Sequence, residues 1–248
     1  KRYGSTVGQT SLVDAADIAQ KFATAETPNH DPAEGANEKA TNSKVEVTVD
    51  EDGNYKVTVK DNINETVEVP DTWGTVKIDL GGNTIKGTNA DDQNPARPGM
   101  ELVKDNGGQN PGTNLIISGN GGKIEGGAGS ERHPNGGSGI GSGSGAAAPV
   151  NSGVSIENGA AVRGGDAATD AAGNGGNGGS GISGAVTPAV NGGSVAGGNG
   201  ANGGNASGND AGNGGNGGAG IAVDGKDVTV NGGTISGGAA GNGGSATG

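Results

Sequence analysis

A short β-branched run, a turn of small residues and a second short run closing on glycine recur five times after residue 75, and nothing else in the chain limits its fold as strongly. The copies are Val76-Lys77-Ile78-Asp79-Leu80 with Thr84-Ile85-Lys86, Leu115-Ile116-Ile117 with Lys123-Ile124-Glu125, Val154-Ser155-Ile156 with Ala161-Val162-Arg163, Ala189-Val190 with Ser194-Val195-Ala196, and Val228-Thr229-Val230 with Thr234-Ile235-Ser236. Ile85, Ile124, Val162, Val195 and Ile235 lie 39, 38, 33 and 40 residues apart. A period in that range marks stacked repeats rather than a compact globule.

Composition sharpens the reading. With 58 glycines, 29% hydrophobic and 2% aromatic residues, the chain has too little apolar mass for an ordinary core of this length. Low hydrophobicity with a net charge of -12 is also the signature of disorder. Disorder gives no reason for Val, Ile and Leu to fall at matched points of every repeat. A solenoid does, because each coil contributes a few inward side chains that its neighbours bury.

Several classes fall away. There is no cysteine, so neither disulfides nor thiolate metal sites are available. No apolar run reaches ~18 residues, so no membrane span is expected. The chain opens at Lys1 without a signal-like segment and stops in a glycine loop, and is read as a fragment that continues past residue 248. Residues 1–105 hold 19 acidic and 11 basic residues with 9 glycines; the rest hold 8, 4 and 49. This acidic balance disfavours nucleic acid and anionic lipid as partners.

The expected organisation is a capping helix and linker over residues 1–43 and a repeat region over 44–248. Leu12, Ala15, Ile18, Ala19 and Phe22 have helical spacing, with Ser11 as candidate N-cap and Asp14 three residues on. Such a helix either plugs the end of a solenoid, whose outer strands would otherwise be open edges, or docks a partner. Residues 24–43, with Pro28 and Pro32, read as a loop. Residues 45–49 and 55–59 alternate like strands around Asp52-Gly53, a hairpin signal. Asp50-Glu51-Asp52 superficially resembles a calcium loop but lacks its later ligands. Trp73 is either a sugar-stacking platform or, the preferred reading, a cover for one end of the core.

Thr66-Val67-Glu68-Val69-Pro70 followed by Val76-Lys77-Ile78-Asp79-Leu80-Gly81-Gly82-Asn83-Thr84-Ile85-Lys86-Gly87 resembles the opening coil of pectate-lyase-like right-handed parallel β-helices, of the type found in cell-surface proteins of Gram-positive gut bacteria. The resemblance covers roughly residues 55–248. It implies an all-β solenoid of about five coils, three short parallel strands per coil, and loops that build clefts at the corners. Parallel crossovers are independently right-handed in about 98% of cases. On this frame Ile140, Ile182 and Ile221 stack in register in a first strand slot, ahead of the β-branched pair in each repeat. Asn191 and Asn231 form either an asparagine ladder or simple left-handed turns, the turn being preferred.

The return loops are unusual. Residues 171–180 and 211–219 are near copies built on Gly-Gly-Asn, with residues 135–138 a shorter version. The three-residue repeat suggests extended polyglycine-II-like segments lying side by side, the alternative being mobile low-complexity loops. Phosphate-loop and nonapeptide calcium motifs do not fit these glycines.

No complete catalytic or metal constellation is present, and no cofactor is expected. Candidate glycan contacts are Asp91, Asp92, Arg97, Glu125, Arg132, His133 and Arg163, with no catalytic residue assigned. Lys86, Glu125 and Arg163 sit at equivalent points of successive repeats and read as a surface charge pairing. Carbohydrate cleavage needs paired carboxylates, and the candidates to weigh are Asp91 and Asp92 with Arg97, Glu125 and Glu131 with Arg132 and His133, and Glu157 with Arg163. The expected function is a non-catalytic extracellular or bacterial cell-surface module, adhesin-like or a stalk, whose partner is a host or bacterial glycan or a surface protein. The alternatives are a polysaccharide-binding or polysaccharide-degrading domain with its cleft near residues 88–99 and 128–138, a phage receptor-binding tip and, last, an ice- or crystal-binding surface, which lacks a regular threonine array.

Overall fold

The computed structural model describes residues 13–32, 37–107, 109–208 and 210–247. Strand forms mainly where apolar or β-branched residues fall two apart, and glycine follows several of the runs, among them those ending at Lys86, Ser118, Glu125, Arg163 and Ala196. One α-helix, α1 (Ala15–Phe22), precedes four antiparallel strands: β1 (Asn29–Asp31), β2 (Lys39–Thr41), β3 (Val45–Val49) and β4 (Tyr55–Val59). The next strands are β5 (Val67–Pro70), β6 (Gly74–Asp79), β7 (Thr84–Lys86), β8 (Met100–Val103), β9 (Thr113–Ser118), β10 (Lys123–Glu125), β11 (Ile140–Ser142), β12 (Gly153–Ile156) and β13 (Ala161–Arg163). They are followed by β14 (Ile182–Gly184), β15 (Thr187–Val190), β16 (Ser194–Ala196), β17 (Ala206–Ser207), β18 (Ile221–Val223), β19 (Thr229–Val230), β20 (Thr234–Ser236) and β21 (Ala246–Thr247).

All but β17 and β21, which pair with each other in a small two-stranded sheet, fall into three sheets that each repeat visits in the same order. The first sheet runs β5-β8-β11-β14-β18, the second β4-β6-β9-β12-β15-β19 with β3, β2 and β1 beyond β4, and the third β7-β10-β13-β16-β20. From β4 onward every pairing within them is parallel. The apolar register is the one expected from sequence: Ile85, Ile124, Val162, Val195 and Ile235 are successive partners. Met100, Ile140, Ile182 and Ile221 are successive partners in the first sheet.

Inward residues of all three sheets and of α1 share one core. Val76, Ile78, Leu115, Ile117 and Ile156 are buried in the second sheet, Ile85 and Ile124 in the third, and each adds about 25 cal/mol per Å² of apolar area removed from water. The last repeat is the exception, with Val228 44%, Val230 54% and Ile235 38% exposed. Val190 and Val195, the partners of Val230 and Ile235, are fully buried.

At the other end the structure departs from sequence in two places. Ser11 lies outside the described residues, and α1 is capped instead by Asp14 in a reciprocal box with Asp17. Residues 24–43 are not only loop, because they supply β1 and β2. Residues 45–59 form the expected antiparallel hairpin, with Gly53 at φ 78, and its second strand joins the parallel sheet beside β6. The burying role given to Trp73 is met: it is 1% exposed and stacks on Phe22 of α1 at 6.3 Å.

The connections from the third sheet to the first form a layer of their own. Outgoing segments (residues 126–130, 164–168, 197–206 and 237–247) alternate with returning ones (134–139, 174–181 and 212–220). One uninterrupted file of main-chain hydrogen bonds crosses them: Gly127 donates to the Arg97 carbonyl, Gly137 to Gly127, Gly165 to Gly137, Gly179 to Gly165, Gly198 to Gly179, Gly218 to Gly198 and Gly238 to Gly218, at 2.7–2.9 Å. Three residues further out a second file runs through Pro134, Ala168, Gly176, Ala201, Gly215 and Gly241, and a third through Gly173, Gly204, Gly212 and Gly244. Burial has the same period, Gly212, Gly215 and Gly218 being buried while Asn213 and Asn216 are exposed.

Asparagine ties like segments together one repeat apart. Asn135 Oδ1 accepts the Asn177 N–H at 2.9 Å while Gly136 N–H donates to the Asn177 carbonyl at 3.0 Å. A single Asn-Gly unit thus holds both main-chain groups of one residue. The same clamp joins Asn174 to Asn213, Asn177 to Asn216, Asn199 to Ala239 and Asn202 to Asn242. Asn89, Asp166 and Asn205, each followed by alanine, hold Ala128, Asn199 and Ser245 likewise.

Close approach is what demands glycine here. A Cβ on Gly198 would fall on the Gly165 carbonyl, and one on Gly218 on that of Gly179. Gly198→Ala is therefore expected to cost about 1–3 kcal/mol, read as a lower urea midpoint with an unchanged slope. Asn177→Ala, which leaves the exposed Asn216 N–H to water, should cost about 1 kcal/mol.

Candidate functional site

The charged residues singled out from sequence divide into two groups. Asp91 and Asp92, and Arg132 and His133, occupy the tips of the first two third-to-first-sheet connections, which lie side by side. Ser130 Oγ contacts the Asp91 carbonyl at 3.4 Å and Arg132 Nε stands 3.8 Å from Asp92 Oδ1, both side chains being largely exposed. Asp91 Oδ1 accepts the N–H groups of Gln93 and Asn94 at 2.8 and 2.7 Å, which hold its carboxyl below the usual carboxylate range. Its shape is that of an Asx turn, which shapes the tip by itself.

Arg97, Glu125 and Arg163 lie nearer the sheets and apart from those tips. Burial works against the Arg97 charge, but Glu101 at 2.6 Å and Glu68 at 3.0 Å outweigh it and raise its pKa. Lys86, Glu125 and Arg163 are successive register partners, as expected. The charge pairing forms elsewhere, however, since the Arg163 guanidinium turns to Asp166 at 2.6 Å. Burial raises the Asp166 pKa, and the bonds from Arg163 and the Asn199 N–H overcome it, so the carboxyl is held low.

A concave polar surface elsewhere on the molecule carries none of these seven residues. It is a groove of about 380 Å³ on the outward face of the second sheet, between the Asp50–Asp52 turn and the Glu157-Asn158 turn. Lys56, Lys77 and Ile116 form one outward row across β4, β6 and β9; Asp79 and Ser118 form the next, which Glu157 continues. Lys77 spans to Asp50 at 2.8 Å and Asp52 at 3.3 Å, raising its own pKa. Asp50 Oδ1 also accepts the Asp52 and Asn54 N–H groups, so the turn that resembled a calcium loop is closed by internal bonds. The signal available in sequence was the polar alternate of each strand, residues 56, 77, 79 and 118, spread over three repeats.

Beyond Glu157 the row continues as a ladder. Asn191 Nδ2 donates to Glu157 Oε1 at 3.1 Å and Ser155 Oγ at 2.9 Å, and Asn231 Nδ2 to Asn191 Oδ1 at 2.7 Å. The simple-turn reading of Asn191 and Asn231 is thus corrected: among the described residues the non-glycine residues with positive φ are Asn151 and Asn158, and Asn191 and Asn231 pair with each other one repeat apart.

A second cluster was not anticipated. Asp14, His30 and Glu38 bring one ligand atom each within 4.8 Å of one another. Glu38 is buried and accepts the Ala15 N–H and the Tyr55 hydroxyl, each at 2.7 Å, with His30 Nε2 at 3.2 Å, while Asp14 takes the Asp17 N–H. These bonds tie α1, β1 and β4 together and account for the convergence. Comparison with protein families, curated proteins and solved structures finds no match for the chain.

Burial pushes the Glu38 carboxyl up, but the bonds from Ala15, Tyr55 and His30 outweigh it and hold it below its ordinary value. A depressed folded pKa contributes stability that is present above the unfolded carboxylate value of about 4.3 and disappears as pH falls through the folded one. Asp50 and Asp166, also depressed, act in the same direction. Thermal unfolding should therefore shift little from neutral pH down to about 5 and then fall. Glu38→Gln should cost about 2–3 kcal/mol at neutral pH and flatten the acid limb.

Proposed function

We propose that the chain is a non-catalytic extracellular scaffold, a stalk or adhesin-type module on a bacterial surface. In this reading it is a right-handed parallel β-helix of pectate-lyase-like type, flanked by a layer of polyglycine-II-like segments. The single observation that carries the scaffold reading is the hydrogen-bond file from Arg97 to Gly238, with the asparagine clamps beside it. A rod whose every rung is bonded to the rungs before and after it resists bending, because a hinge would break several bonds at once. Handedness follows from the crossover preference. The three-residue spacing of the files matches the three residues per turn of the polyglycine-II class. The bacterial-surface setting follows from the residue-level resemblance alone, and the partner class, a glycan or surface protein, from the exposed loop tips.

The groove beside Lys77, Asp79 and Glu157 favours a second reading, polysaccharide binding or cleavage on the sheet face. Hydrogen exchange separates scaffold from mobile loop. The amides of Gly165, Gly179, Gly198 and Gly218 should be protected like those of β9 and β12, whereas rapid exchange along the layer would remove the rigid-scaffold role. A glycan array with reducing-sugar and unsaturated-product assays tests the second reading. We expect no turnover, and turnover lost on Asp92→Asn, Glu125→Gln or Glu157→Gln would replace the scaffold with an enzyme.

A further inference from the structure

The chain contains thirteen Asn-Gly pairs, the sequence in which asparagine ages fastest, because glycine leaves its own main-chain nitrogen unshielded. That nitrogen gives its proton to solvent and attacks Asn Cγ. The N–Cγ bond forms, the Cγ–Nδ2 bond breaks and ammonia leaves, giving a cyclic succinimide. Water then opens either carbonyl, yielding aspartate or isoaspartate with no change of oxidation state.

The clamp engages both reactants of this step. In the pairs that begin at Asn135, Asn174, Asn177, Asn199 and Asn202, the glycine N–H donates to a carbonyl of the next rung at 2.7–3.0 Å. The asparagine Oδ1 accepts the N–H of that same residue at 2.8–3.2 Å. Cyclisation requires the side chain to swing onto its own main chain and the glycine N–H to be released. Both movements need the clamp to open.

Two interior turns lack it. Asn120-Gly121 and Asn158-Gly159 are exposed corners between the second and third sheets, with Gly121 at φ 80 and Gly159 at φ 74. Among the described residues neither glycine N–H has an acceptor, and neither asparagine side chain has a hydrogen-bond partner. We propose that Asn120 and Asn158 are deamidation sites of this protein, selected because they lie outside the clamps that protect the five Asn-Gly pairs of the glycine layer. Asn213, Asn216 and Asn242 on the last rungs are followed by glycines whose N–H groups have no acceptor among the described residues, and they belong with the open class. The glycines after Asn106, Asn191 and Asn231 donate to Asp105 Oδ1 and to the Ile156 and Val190 carbonyls, a partial restraint.

Asn158 is the consequential site. It lines the groove beside Glu157, so each conversion adds a carboxylate to a surface already carrying Asp50, Asp52 and Asp79. The whole chain, aged in mildly alkaline buffer made with oxygen-18 water and mapped as Asp-N peptides by mass spectrometry, reads every pair separately. Conversion at Asn120 and Asn158 should outrun that at the five clamped pairs by about tenfold or more, and the difference should vanish in urea, where no clamp survives. Clamped pairs converting as fast as Asn120 and Asn158 in the folded chain would overturn the proposal. So would intact amides at both corners over a period in which the urea-unfolded chain converts.

Discussion

Main-chain hydrogen bonding between segments so close that a methyl group has no room is the constraint on which the rest of this structure depends. It explains why 58 glycines coexist with a modest apolar content in a folded chain. A net hydrogen bond contributes about 1 kcal/mol, whereas fixing one residue costs about 1–2 kcal/mol and glycine more, so a glycine layer alone would stay open. Here both ends of each segment are already fixed. The segment 164–181 leaves β13 and enters β14, and 197–220 leaves β16 and enters β18, each strand being locked in its own sheet. The apolar core therefore orders the layer's ends, and the layer's bonds have only the middle of each loop to immobilise.

Asparagine, rather than aspartate, suits the repeated clamp for an electrostatic reason. The bond uses only Oδ1, which a carboxylate offers equally well, and Asp166 does so for Asn199. Carboxylates stacked at the strand spacing of about 4.8 Å would repel by roughly 1 kcal/mol per pair even in water, and more near the protein surface. A chain of net charge -12 gains nothing from such a column. The one acidic clamp is also the one with a cation beside it, Arg163 at 2.6 Å from the same oxygen.

What was legible in the sequence follows from how local its cause is. The registers of Ile85 with Ile124 and of Ile140 with Ile182 could be read because one apolar residue recurs at the centre of each short third-sheet strand and at the start of each first-sheet strand. The hairpin at Asp52-Gly53 could be read because two residues determine the turn. β1 and β2 could not, since Asn29-His30-Asp31 has no buried side chain and β2 only Ala40, so no alternation marks them. The helix start hid for a related reason. Ser11-x-x-Asp14 and Asp14-x-x-Asp17 are both capping patterns, and Ala15 N–H meeting Glu38, twenty-three residues away, accompanies the second. The sequence revealed the Gly-Gly-Asn period but not what the asparagine does, which emerges only when the next repeat is laid beside it. The groove was missed because no single segment contains it, and the Lys86, Glu125, Arg163 column misled because register neighbours need not be ion-pair partners.

The distribution of charge along the fold then acquires a physical sense. In the first two repeats the third-to-first-sheet connections are short and end in charged tips, Asp91-Asp92 and Glu131-Arg132-His133. In the next two they lengthen into glycine and asparagine, and the outward third-sheet positions after Lys86, Glu125 and Arg163 become Ala196 and Ser236. A long segment packed against its neighbours on both sides excludes bulky charged side chains at its buried and clamped positions, so chemistry-bearing residues can collect only where the layer is shallow. Side-chain charge is thereby concentrated in the connections of the first two repeats and in the groove on the second sheet, while the later connections are built mainly of glycine and asparagine.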